Sequence, residues 1–150
     1  MKIVYEQNVL KVYNDIIENA PRWLQLMGYE NFNDFALALI KHDAGIVKLP
    51  SGYVILDDYV PGVRVTAHPC FTEKTAFRDI EGLRVILHQL LRELTVARLQ
   101  ICVSEVAGHS IRRVLRELGF RKEAMLQNYT INRCDTKHPL ISSDVWVIFK

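Results

Sequence analysis

The side chains of this sequence that could do chemistry are dispersed along it. Its three cysteines, Cys70, Cys102 and Cys134, form no CxxC pair. That spacing suggests neither a disulfide framework nor a zinc site, and it predicts reduced thiols in a cytosolic setting. His42, His88, His109 and His138 share no ligand spacing, so no metal is predicted. Cys70 follows His68-Pro69, but no Cys/His/Asp spacing marks it as a nucleophile, and it reads as a small half-buried thiol. His68 and Glu105 each stand at the end of a predicted strand. The ordinary roles there are steadying a turn for His68 and a solvated loop charge for Glu105. Arg112, Arg113, Arg116, Arg121 and Lys122 form a basic cluster, either a solvated helix face or a contact for a polyanion. Trp23 and Trp146 read as core or rim aromatics.

A chain of 150 residues suits one domain, taken here as 1–150. A domain of this size buries roughly 68–70% of its unfolded surface, enough to stand without covalent staples. The 49% hydrophobic and 24% charged residues are those of a globular chain. A net charge of +2 gives no argument for nucleic acid. The first twenty residues carry charges too often for a signal peptide, and no apolar run approaches the length of a membrane span.

The elements follow from periodicity. Residues 2–6 read as a short strand. Leu10, Val12, Tyr13, Ile16 and Ile17 have helical spacing over 9–19, and Pro21 stops that helix. A second helix is predicted over 32–42, capped by Asn31 or Asn33. Strand-like pieces at 44–49, 52–58 and 62–68 are parted by Pro50-Ser51-Gly52 and Pro61-Gly62, which predicts an antiparallel meander. A long amphipathic helix covers 76–94, and a buried strand covers 97–103. Helix 109–118 ends at Gly119 with Phe120 folding back. Strands at 122–132 and 144–149 close the chain. The order is β-α-α-β-β-β-α-β-α-β-β: an α/β fold with a mixed sheet of about seven strands flanked by about four helices. Parallel pairing is expected around the crossovers 68→97 and 103→122. Strand 145–149 is apolar on both faces, so it is either central or paired across an interface, which leaves a homodimer open.

The segment Gly108 to Glu123, ending Leu118-Gly119-Phe120-Arg121-Lys122-Glu123, resembles the fourth helix of the GNAT acyl-CoA N-acyltransferase superfamily. Ala67-His68-Pro69-Cys70-Phe71 and the loop after it resemble the family's fourth strand and pyrophosphate loop. Similar His-Pro plus Phe segments occur in divergent GNAT-like proteins of phages. The likeness spans nearly the whole chain.

What the resemblance implies is an acetyl-CoA-dependent N-acetyltransferase acting on a small amine or a protein amino group, placed in the cytoplasm, or in a host cytoplasm or virion for a phage protein. Strands on either side of the slot splay to admit the pantetheine arm. The loop before the long helix offers backbone N–H groups to the pyrophosphate. By this resemblance Cys70, Phe71, Lys74, Thr75, Ala76, Phe77, Arg78, Ser110 and Arg113 bind the cofactor. His68 and Glu105 are candidate bases, Asp57 a third. A backbone N–H around 69–71 would steady the oxyanion, Pro69 itself having none to give. Three positions depart from the family pattern: 73–80 holds no glycine, Ala107 replaces an asparagine, and Leu115 replaces the tyrosine many members use to protonate the leaving thiolate. These departures imply an alternative, a GNAT-fold protein without catalysis working by protein contact, such as a phage accessory or virion component.

Overall fold

The computed structural model describes residues 4–73, 79–107, 109–131 and 140–150. The elements are β1 (Val4–Tyr5), α1 (Val9–Asn19), α2 (Pro21–Met27), α3 (Phe32–Lys41), β2 (Gly45–Leu49), β3 (Gly52–Val60), β4 (Arg64–Phe71), α4 (Ile80–Glu93), β5 (Arg98–Ser104), α5 (His109–Glu117), β6 (Arg121–Ile131) and β7 (Leu140–Phe149). The strands form one mixed sheet in the order β1-β2-β3-β4-β5-β7-β6. Residues 2–3, the expected start of the long helix at 76–78, and the loop with Cys134, Asp135, His138 and Pro139 lie outside the described residues.

Local chemistry explains the boundaries. Asn8 Oδ1 accepts the Lys11 N–H at 3.0 Å and opens α1. Asn31, of the two asparagines open to that role, caps α3 through the Asp34 N–H at 3.0 Å. Gly119 takes φ 95°, and the Phe120 N–H closes on Leu115 O at 2.9 Å. Pro21 ends α1 as expected but also begins α2, because a helix's first residue needs no N–H donor. That fifth helix was not predicted. Gly28, at φ 80°, closes it.

The meander β2-β3-β4 is antiparallel as predicted. Its first turn brings Gly52 so close to β4 that a Cβ there would lie 2.2 Å from the Cys70 carbonyl oxygen. The second crossover differs from expectation. β7 lies between β5 and β6 and pairs antiparallel with both, so β4–β5 alone is parallel among the described pairs. The reason is burial: Val145, Trp146 and Val147 are apolar on both faces and belong inside a sheet, whereas Arg121–Met125 are exposed and suit an edge.

The two sheet faces carry separate cores. α4 and α5 pack over Val47, Val54, Leu56, Ala67, Leu99, Ile101 and Trp146. α1, α2 and α3 pack over Ile46, Tyr53, Ile55 and Cys70. Alternation along each strand divides the residues between them.

Candidate active site

β4 and β5 pair at only three positions, Arg64↔Arg98, Val65↔Leu99 and Thr66↔Gln100. Gln100 Nε2 also donates to Thr66 Oγ1 across the last pair, at 2.9 Å. Beyond it β4 runs on to Phe71 and β5 to Ser104 unpaired with each other. Hydrogen-bond alternation shows why the ladder cannot resume further along. The Thr72 N–H donates to Ser51 O at 3.0 Å, which sets the pairs that bond β4 to β3 at His68 and Cys70 and turns the backbone of Ala67 and Pro69 toward β5. Likewise the Glu105 N–H donates to Ser142 O at 3.0 Å, which commits Ile101 and Val103 to β7 and turns Cys102 toward β4. A continued parallel ladder would draw an N–H from residue 69 to the Cys102 carbonyl. Proline has none.

The carbonyl of Pro69 is not idle: Trp23 Nε1, from α2, donates to it at 3.0 Å. A cavity of about 310 Å³ runs through the gap, with Trp23, Leu26 and Met27 at one end and Ala107 and Ile111 at the other. A second, fully apolar cavity of about 70 Å³ lies under α4 and α5, lined by Phe71, Leu83 and Leu115 among others. Both are lined by Pro69, Ile101 and Ile111, so they abut at the splay.

His68 lines the larger cavity. Its Nε2 lies 3.0 Å from Asp57 Oδ1, with both side chains about one-fifth exposed. The carboxylate sits off the ring's N–H axis, so the two groups are in close contact without an aligned hydrogen bond. Cys102 lines the same cavity, and burial, then the Asp57 charge, push its thiol pKa up. Deeper in the α1–α3 core, Tyr53 donates to Asp15 Oδ2 at 2.6 Å. Burial first, then that carboxylate, raise the phenol pKa.

The remaining expected residues fall in different places. Glu105 is exposed in the turn after β5, and its Oε1 accepts the Ser142 N–H at 3.0 Å. It does not line the cavity with His68. Cys70, expected among the cofactor-binding residues, is 0% exposed within the α1–α3 core, so its side chain offers no surface to a cofactor. Burial, then the Asp15 charge, raise its thiol to about 12. Phe71 lines the smaller cavity. Lys74, Thr75, Ala76, Phe77 and Arg78 lie outside the described residues. Ser110 and Arg113 are on α5, Ser110 exposed and Arg113 in an ion pair with Glu117 at 2.8 Å.

The basic cluster is largely engaged within the chain. Arg112 bonds Asp144 at 3.2 Å, Ala107 O at 2.9 Å and Ser104 O at 3.0 Å, bracing the turn after β5. Lys122 reaches the same Asp144 at 3.1 Å, and the Arg116 guanidinium lies 5.5 Å from the Trp146 ring centre.

The described start of α4 is acidic. Asp79 caps it by accepting the Gly82 N–H at 2.9 Å, and Glu81 follows in the first turn. Glu73 and Asp79 line the hollow beside it. Sequence reading passed over Trp23 as a seam residue and over the pairing of Asp57 with His68. The available signals were the proline inside an alternating strand and the two-residue offset between Asp57↔Thr66 and Ile55↔His68.

No family model and no curated protein sequence matches the chain. Solved structures do. A spermidine N-acetyltransferase from Vibrio cholerae, in complex with CoA and spermine, superposes with a TM-score of 0.71 at 13% identity, covering 99% of this chain and 94% of that one. A probable acetyltransferase from Staphylococcus epidermidis gives 0.72 at 14% identity, with 99% and 98% covered. The ribosomal-protein-S5-alanine acetyltransferase of Vibrio fischeri gives 0.65 at 12% identity, with 99% and 91% covered. The fold is that of the GNAT acetyltransferases, with a seven-stranded mixed sheet and five helices among the described residues.

Proposed function

We propose that the chain is an N-acetyltransferase that moves the acetyl group of acetyl-CoA to an amine within the β4–β5 gap. The observation that carries this is the parting of β4 and β5 after Thr66↔Gln100, with His68 lining a cavity that passes between them. The apolar walls of the gap suit a pantetheine arm, and proteins of the same fold are solved with CoA bound. The described start of α4, with Asp79 on its Gly82 N–H, does not by itself suit a pyrophosphate. That contact falls to Lys74 and Arg78, with N–H groups of 75–78.

His68 takes the proton of the attacking amine, and Asp57 steadies the imidazolium that results. The nitrogen forms a bond to the acetyl carbon, and the bond from that carbon to sulfur breaks. The leaving thiolate takes its proton from water, because Leu115 is an apolar residue 2% exposed. Glu105, tied to Ser142, serves the strand end and not the proton.

Calorimetric titration with acetyl-CoA and a labelled acetyl-transfer assay test this reading. Binding is expected, with His68→Ala lowering kcat/KM by roughly 10²–10⁴-fold while the protein stays folded. No heat at millimolar acetyl-CoA would overturn it. A second reading draws on the acidic α4 start and on Leu115: a GNAT-fold protein without catalysis that acts through protein contact, such as a phage accessory or virion component. That reading expects neither heat nor transfer.

A further inference from the structure

The cavity beside His68 has walls of a particular chemistry. α2 contributes Trp23, Leu26 and Met27, and β5 contributes Ile101 and Val103. Trp23 is pinned by its hydrogen bond to Pro69 O and packs 6.2 Å from the Tyr29 ring. Among the described lining residues none is acidic. Asp57 reaches the cavity by way of His68, while the nearby Asp144, strand partner of Val103, is already held by Arg112 and Lys122, and Glu105 is tied to the Ser142 N–H. An ammonium placed at the His68–Asp57 pair therefore meets one negative charge. A second ammonium, a few bonds further along toward Trp23, Leu26 and Met27, would lie against hydrocarbon, where an uncompensated charge is costly.

We propose that the acceptor is a monoamine on an apolar skeleton, its nitrogen at the His68–Asp57 pair and its skeleton against Trp23, Leu26 and Met27. The site discriminates against polyamines, the class named for a fold relative that binds spermine. A volume of about 310 Å³ is of the size that encloses a ring-bearing small molecule. The fate of the amine rests on the acetyl-transfer reading; its binding does not.

The test is to titrate 2-phenylethylamine and spermidine into the protein without acetyl-CoA, by calorimetry, and to measure transfer to each separately. 2-Phenylethylamine is expected to bind at least about ten-fold more tightly than spermidine. Asp57→Asn is expected to weaken the amine and leave 2-phenylethanol unchanged. Met27→Glu adds an acid to the wall without removing the Trp23 bond, and is expected to shift preference toward spermidine. Equal or tighter spermidine binding by the unaltered protein overturns the proposal, as does an unshifted preference in Met27→Glu. Binding of 2-phenylethylamine with no transfer from acetyl-CoA supports the site and removes the acetyltransferase reading. Transfer that favours spermidine keeps that reading and removes this site.

Discussion

Two cations converge on the carboxylate of Asp144, which is 9% exposed. Burial alone would raise its pKa, but the hydrogen bonds from Lys122 and Arg112 outweigh that and hold it below the ordinary range. A depressed folded-state pKa means the unfolded chain binds the proton more readily. The stabilisation is therefore complete above the unfolded value of about 3.9 and is lost as pH falls through the lower folded value. Asp144→Asn is expected to cost roughly 2 kcal/mol at pH 7. The difference from the unaltered protein should shrink at acid pH, as urea unfolding on both sides of the carboxylate range would show. At this scale the sequence was legible in kind only. Helical spacing put Arg112, Arg113 and Arg116 on one helix, but their partners could not be read from it, since Arg112 meets Asp144 32 residues away while Arg113 meets Glu117 four away.

Among the elements, the β2–β3 hairpin brings its turn hard against β4. Gly52 has φ 152°, and its missing Cβ leaves room for β4's backbone. Gly52→Ala would drive a methyl into the Cys70 carbonyl, a backbone atom that cannot swing aside. A loss on the order of 1–3 kcal/mol is expected, read as a lower unfolding midpoint. The Pro-Ser-Gly turn made this hairpin legible, as apolar spacing made α1 legible and capping residues made α3 and the end of α5 legible. Two elements were not. α2 was hidden because Pro21 reads as a stop and serves equally as a start. The third strand-like piece ends at His68 in the sequence reading, and a proline inside a strand normally forfeits a ladder bond. Here the ladder on that side has already finished, so the strand continues to Phe71.

For the molecule as a whole, the sheet is two halves joined by a narrow seam. β1 to β4 form one half and β5, β7 and β6 the other, with three paired positions between them. The order of elements foretold the fold class and the family resemblance implied a splay, but neither placed it after Thr66↔Gln100, since pairing registers depend on which backbone groups face which neighbour. Amide hydrogen exchange would see it directly. The Ile101 and Val103 amides face β7 and are expected to exchange slowly, while the Cys102 amide between them faces the gap and exchanges faster. Acetyl-CoA bound in the gap is expected to slow Cys102 most. Uniform protection across 101–103 would contradict the seam.

Pro69 gives that seam a further meaning. Its missing N–H is a covalent fact, which no backbone rearrangement can restore. The strands thus cannot zip together past that point with or without a ligand, and part of the entropy of arranging them falls on folding instead of on association. A guest entering the gap inherits an order already in place.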